Sequence, residues 1–405
     1  MTPPRATYCE HYLRSSYDVV IAGGAIMGSS VAFFLSRNPD FDGTILVVER
    51  DPSYDCSSTA RTNSCMRQQF SREVNIRISQ FGAEFVRDFR DWIDDPEAPE
   101  VTVNHFGYMY LAGDEAAAAV LEANQRVQAS LGAGTRLMSP AQIAAEYPFF
   151  NVDGIVCGSH NRLDEGWFDS GTVFDWWRRQ ARRSGVQYVA DEVVGIRRDA
   201  DTVTGVDLAS AGTINCGALV NATGPRAART AAMAGLELPV EPRKRFTWIF
   251  EAAEPLGQDL PLTIDPSGVH VRSDGAAYMT GCPPDADTPV AFDDFDMDHD
   301  IFEEKVWPVL ANRIPAFERI RVTSRWAGHY AYNHFDHNAV VGPHTEVGNF
   351  FFINGFSGHG MQQSPAMGRA VAELLCYGEY RTLDLSELGY ERIDRGEPFI
   401  ETAII

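Results

Sequence analysis

Along the chain, apolar positions come in short blocks separated by glycine, proline and polar turns. The first block, Asp18 to Ala22 ("DVVIA"), is a β-branched run suited to a buried strand. A turn follows, Gly23-Gly24-Ala25-Ile26-Met27-Gly28, and from Ser29 to Leu35 the apolar residues take helical spacing until Asn38-Pro39 stops them. A second buried run, Thr44 to Val48, ends in Glu49. Farther on, "ALVNATGPRA" (Ala218 to Ala227) reads as a strand and a tight turn, and "RKRFTWIFEAA" begins another strand. "GVHVRSDGAAYMTG" (Gly268 to Gly281) reads as two strands around an Asp-Gly turn. Asn349 to Leu375 reads as a strand, a loop with Gly355, Gly358 and Gly360, and an amphipathic helix.

Strand, glycine turn, helix and second strand form a βαβ unit whose helix N-terminus faces a would-be pyrophosphate. Glu49 lies about 20 residues past the turn, where a carboxylate accepts hydrogen bonds from a ribose diol. Alanine stands where the middle glycine of the dinucleotide fingerprint belongs, which is tolerable if Ala25 is not at positive φ. These features predict a dinucleotide site without separating NAD from FAD.

Composition narrows the partners. The chain has 405 residues, enough for two domains with a large core, and 44% of them are apolar. A net charge of −22 argues against nucleic acid or an anionic membrane surface, which need a basic footprint. There is no apolar run long enough for a membrane span. The opening "MTPPRATYCEHYLRSS" lacks the apolar core of a signal peptide and carries Glu10, unlike a transit peptide. The 7 cysteines (Cys9, Cys56, Cys65, Cys157, Cys216, Cys282 and Cys376) include no C-x-x-C pair, which suggests free thiols in a reducing cytoplasm. Oligomeric state leaves no trace in the sequence. His329, His334, His337 and His344 do not have the spacing of a helical metal pair, so no metal site is expected.

Three stretches point toward a flavin. "CSSTARTNSCMRQQFS" (Cys56 to Ser71) places small hydroxyl residues past the second strand, then Arg67-Gln68-Gln69. "VNATGP" supplies a tight turn, and the loop before "GFSGHGMQQSPAMGRAVAEL" aims a helix N-terminus at the place where negative charge grows on a reduced pyrimidine ring. Taken in order with "EGWFD" and "RWAGHYAYNHFDHNAVVG", these motifs resemble the FAD-dependent D-amino-acid oxidase and sarcosine oxidase family over nearly the whole chain. Within that family "YNHFDHNAVVGPH" and "GFSGHGMQQSP" are similar to a mitochondrial FAD-dependent oxidoreductase-domain branch linked to complex I assembly.

The resemblance implies an α/β (α+β) fold, in which a Rossmann-like FAD-binding domain (1–100, 155–234 and 333–405) interleaves with a mixed-sheet substrate domain (101–154 and 235–332). It implies FAD contacts at Gly23, Ala25, Ile26, Met27 and Gly28, then Glu49, Arg50, Ser57, Ser58 and Thr59. Met66, Arg67 and Gln68 follow, with Val193, Ala222, Thr223, Gly224 and Gly328. The last set is Gly355, Gly358, His359, Gly360, Met361 and Gln362. The cysteine that binds flavin covalently in sarcosine oxidases is replaced by His329, and Arg61 stands where dimethylglycine dehydrogenases carry a histidine. Noncovalent FAD is therefore expected, with a histidyl link through His329 as the alternative. Gln362 replaces a substrate-gripping lysine and Met279 an oxygen-activating one, so both O₂ and another electron acceptor stay open.

The expected reaction is hydride transfer from a carboxylate-bearing amine to flavin N5, followed by imine hydrolysis. The substrate would be a secondary or tertiary amino acid such as sarcosine, dimethylglycine or iminodiacetate. It needs a cationic clamp for the carboxylate, for which Arg67, Arg272 and Arg245 are candidates. His270 and Arg272 are two apart and share a strand face. His359 and Tyr330 would shape the pocket beside Gln362, and Tyr332 is a weaker candidate for its wall. The alternatives are an FAD-containing assembly or interaction protein of the respiratory chain, and a D-amino-acid or 2-hydroxy-acid dehydrogenase on the same fold. The apolar tail "GEPFIETAII" either folds back on the core or meets a partner.

Overall fold

The computed structural model describes residues 13–403; the opening stretch with Cys9 and Glu10 and the last two residues lie outside them. Most strands gather into two eight-stranded sheets. In the first, Ser16–Ala22 runs parallel to both Ile45–Glu49 and Gly212–Asn221. Both faces of these strands are covered, which is why Val19 to Ala22 and Ile45 to Val48 read as unbroken apolar runs. Gln187–Ala190 extends the sheet past Ile45–Glu49. Gly212–Asn221 divides its pairing: its first half meets the antiparallel strand Thr202–Leu208, and its second half runs parallel to Phe350–Asn354.

The helix Ile26–Ser36 is apolar and buried nearly all round. One side lies on the sheet and the other on the long helix Gly360–Tyr377, where Ser30 Oγ donates to Ser364 O at 2.7 Å. That enclosure gives the helix little polar face, so its periodicity is weaker than that of a surface helix.

The second sheet runs, edge to edge, through Ile320–Asn333, Val240–Ala252, Ala277–Cys282, His270–Asp274, Leu262–Ile264, Tyr108–Ala112, Cys157–Asn161 and Arg136–Met138. Asp274 opposite Ala277 closes the hairpin that the Asp-Gly turn announces. The division expected at residue 155 falls later: Cys157–Asn161 pairs with Tyr108–Ala112 inside this second sheet. Its buried residues Ser159, His160 and Asn161 are polar and bonded inward, so the strand has no apolar signature. Gly166–Phe168 then joins a small sheet with Cys65–Met66 and Val103–Asn104 before the first sheet resumes.

Candidate FAD and substrate site

A cavity draws its lining from both sheets. At one end is the turn after the first strand. Ala25 has φ −69° and ψ −164°, an extended conformation open to any residue, so the methyl does not disturb the turn. Gly28 is needed for packing: a Cβ there would sit 1.9 Å from Gly23 O. The helix beginning at Ile26 has no side-chain cap and no acid in its first turn. Ala25, Ile26 and Met27 line the cavity, so the helix end offers unsatisfied N–H groups to an anion. Ile26 N–H also donates to Thr59 Oγ1 at 3.2 Å, which ties the hydroxyl-rich loop to the turn.

Glu49 faces the same space. Its carboxylate accepts from Gly24 N–H at 2.8 Å and Asp51 N–H at 2.7 Å, and burial pushes its pKa up. Arg50, Ser57, Ser58, Val193, Thr223 and Arg226 line the cavity too, as do Gly23, Ala222 and Gly224.

At the other end the helix Gly360–Tyr377 begins, again without a side-chain cap or an early acid. Gly358, His359, Gly360, Met361 and Gln362 line the cavity here, with Gly328 and Tyr330 opposite. Gly358 has φ +96°, and a Cβ on it would meet the Tyr330 ring at 2.4 Å. Arg67 is 1% exposed and lies over the Phe70 ring at 4.2 Å. It donates through Nη1 to Gln69 O at 2.6 Å and through Nη2 both to His359 Nε2 at 2.8 Å and to the Ala403 carbonyl. Among the described residues no carboxylate comes within ion-pair distance of it. Because His359 accepts from a cation, its imidazole is neutral with the proton on Nδ1; burial and then the Arg67 charge hold its pKa well below the usual value.

Gln362 Oε1 accepts the Arg67 backbone N–H at 2.7 Å, so this glutamine fixes the arginine's loop. His270 lines the cavity with Nδ1 unpartnered, and burial, then the charges of Arg245 and Arg272, push it down to about 4. Arg245 also lines the cavity, lies over Tyr330 at 4.7 Å, and is paired with Asp287 at 2.8 and 2.9 Å.

The shared strand face does not bring Arg272 to the cavity beside His270. Its Nη1 turns back to Ser273 O and Asp274, its Nη2 to Asn63 O, and it is absent from the lining. Gly28, Met66, Gln68 and Gly355 also lie behind the lining. Gln68 N–H donates instead to Glu165 at 2.7 Å. Tyr332 is not a wall either; it packs against His337 and Arg243. His329 does line the cavity, but its Nε2 donates to Asp294 O at 2.7 Å and its ring stacks on Phe295 at 4.2 Å. Among the described residues no group of His, Cys, Asp and Glu is arranged to hold a metal, and no helix is long and apolar enough to cross a membrane.

Sequence reasoning missed Asn63, Tyr108, Phe292 and Phe295, which also line the cavity. It missed Glu165 too, a fully buried carboxylate that accepts from Gln68 N–H, Gln69 Nε2 and Asn161 Nδ2. The glutamate opening "EGWFD" was the available signal for that residue.

Two uncapped helix ends, a carboxylate at the end of the second strand and close backbone approaches make a cradle that fits a dinucleotide with a second polar ring. The chain belongs to the FAD dependent oxidoreductase (DAO) family, whose profile matches residues 18–374, and its cofactor is FAD. It is an FAD-dependent oxidoreductase. Its relatives include FAD-dependent oxidoreductase domain-containing protein 1 of Xenopus laevis, 38% identical over 423 residues, covering 96% of this chain and 85% of that protein. Mitochondrial sarcosine dehydrogenase of Mus musculus is 24% identical over 388 residues, 90% of this chain but 40% of that protein. Among solved structures, L-proline dehydrogenase from P. horikoshii superposes with a TM-score of 0.83 at 25% identity, covering 95% of this chain and 100% of that one.

Proposed function

We propose that this chain oxidises a secondary or tertiary amino acid at the carbon next to its nitrogen, with an N-substituted glycine such as sarcosine, dimethylglycine or iminodiacetate as substrate. The observation that carries the reading is Arg67: a buried guanidinium at the cavity wall, without a carboxylate partner among the described residues. A substrate carboxylate supplies the missing charge. Gln362 and Gln69 hold the arginine's backbone and side chain in place. His359, neutral and accepting, orients the Nη2 edge without adding a second cation.

The Arg67 charge, which no carboxylate among the described residues matches, disfavours a second cation beside it and so favours the unprotonated amine that the oxidation requires. Tyr330 and Tyr108 bound the space available to the substituent on nitrogen. Bound FAD supplies a two-electron acceptor for the α-hydrogen and its electron pair. The resulting imine is released to water and hydrolyses. In this reading the first sheet carries the cofactor and the second the substrate wall. The bonded and stacked state of His329 supports noncovalent FAD. Similarity to a sarcosine dehydrogenase and an L-proline dehydrogenase supports an amino-acid substrate with a substituted nitrogen.

The test is an anaerobic titration of the purified yellow protein with N-substituted glycines, D-amino acids and 2-hydroxy acids in turn. Fastest bleaching of the flavin band by an N-substituted glycine is expected. Faster bleaching by either other class overturns the substrate assignment, and a flavin that none of them reduces shifts the protein to the assembly reading. Admitting air afterwards tells whether O₂ or another acceptor closes the cycle.

A further inference from the structure

We propose that the acidic segment 284–298 is a cover that retains the noncovalently bound FAD. The inference rests on the cofactor and is independent of the substrate class. The segment leaves the second sheet after Ala277–Cys282 and forms no helix or strand of its own, touching the sheet again through a single bridge between Pro289 and Arg243. Phe292 and Phe295 reach in and line the cavity.

Each of these rings is held by a cation that lines the same cavity. Arg226 lies over Phe292 at 4.8 Å, and Arg61 lies over Phe295 at 4.3 Å. His329 stacks on the other side of Phe295 and donates to Asp294 O. Lys244, outside the cavity, donates to Asp294 Oδ1 at 2.5 Å and Asp296 O at 3.1 Å. Arg245 grips Asp287, and Val290 N–H donates to Pro242 O at 3.0 Å. The segment therefore binds the cavity rim through charges and rings, with little apolar core beneath it. A segment with few buried apolar contacts opens at a lower free energy than the core elements around it. A covalent flavin needs no such cover; a noncovalent one leaves as fast as its enclosure opens.

The test is the rate of FAD release after strong dilution into flavin-free buffer, read as the rise in flavin fluorescence as the cofactor leaves the protein. In the double variant Phe292→Ala and Phe295→Ala, release is expected to accelerate roughly tenfold, because two ring–cation contacts are lost. Lys244→Met removes an anchor without touching the cavity and is expected to accelerate release in the same direction. Limited proteolysis with an enzyme that cuts before aspartate provides the second readout: the FAD-loaded protein resists cleavage within 284–298 and the stripped protein is cut there. Native release rates in Lys244→Met, or cleavage of the segment at equal rates with and without FAD, overturn the proposal. Should the double variant not fold, Lys244→Met and the proteolysis decide the matter alone.

Discussion

Arg67 and His359 meet through one hydrogen bond of 2.8 Å, from Nη2 to Nε2, in a place closed to solvent. The imidazole accepts and the guanidinium donates, so charge is left on the arginine side alone. Replacing Arg67 with methionine therefore removes the cation while keeping much of its apolar stem in place. Acetate binding, read from its perturbation of the oxidised flavin spectrum, is expected to weaken roughly ten- to hundredfold, the value of one or two charged hydrogen bonds. Arg67→Lys keeps the charge but loses the fork that bonds Gln69 and His359 together, and is expected to fall between the two. Unchanged acetate affinity in Arg67→Met would move the carboxylate site elsewhere.

Gly358 stands against Tyr330 at positive φ, so alanine meets both backbone strain and a ring 2.4 Å away. Gly358→Ala is expected to destabilise the protein by about 1–3 kcal/mol through backbone strain alone. The displaced ring also disturbs the cavity wall, so FAD is held less tightly. Thermal unfolding with and without added FAD checks both parts; a native melting curve in each condition would show that the loop absorbs the methyl.

Much of the cofactor end was legible because it depends on local chemistry. A β-branched run, a glycine turn and an acid closing the second strand specify their geometry within some thirty residues, and Ala25 turned out to occupy an ordinary extended conformation. The substrate end depends on pairings across the chain that no local pattern records. His270 and Arg272 share a strand face, yet Asp274 and Ser273 draw the arginine away while the histidine reaches the cavity. Arg245 reaches the cavity with its charge already matched by Asp287, 42 residues away in sequence. Phe292 and Phe295 sit in an acidic stretch, and the groups that fix them, Arg61, Arg226 and His329, are spread over three other segments.

Glu49 holds its position through two backbone N–H groups, Gly24 and Asp51, one on each carboxylate oxygen. Each oxygen keeps a lone pair for a ribose hydroxyl. Glu49→Gln keeps the size and loses one acceptor and the charge, so FAD is expected to bind roughly tenfold more weakly, the value of one charged hydrogen bond. Quenching of flavin fluorescence on titrating stripped protein measures this. An unchanged dissociation constant would mean that the carboxylate serves only the turn.

Two buried groups pull the stability of the fold in opposite directions as pH changes. Burial and neighbouring cations push His270 down to about 4, so the folded protein keeps it neutral while the unfolded chain protonates it near its ordinary value. The unfolded state then binds more protons, and stability falls as pH drops from about 6.5 toward 4. Burial pushes Glu165 up to about 7, against the hydrogen bonds from Gln69, Gln68 and Asn161 that favour its charge. Here the folded state holds the extra proton, and stability falls as pH rises from about 4.5 toward 7. Between about pH 5 and 6 both groups are near their full effect and largely cancel. His270→Gln is thus expected to lower the slope of unfolding free energy against pH by up to about 1.4 kcal/mol per unit, and Glu165→Gln to raise it by a similar amount. Urea unfolding at several pH values in that window, with FAD in constant excess, measures both slopes. Equal slopes in the two variants would mean that neither group is shifted in the folded protein; a slope unchanged in one variant alone would mean that its group titrates normally.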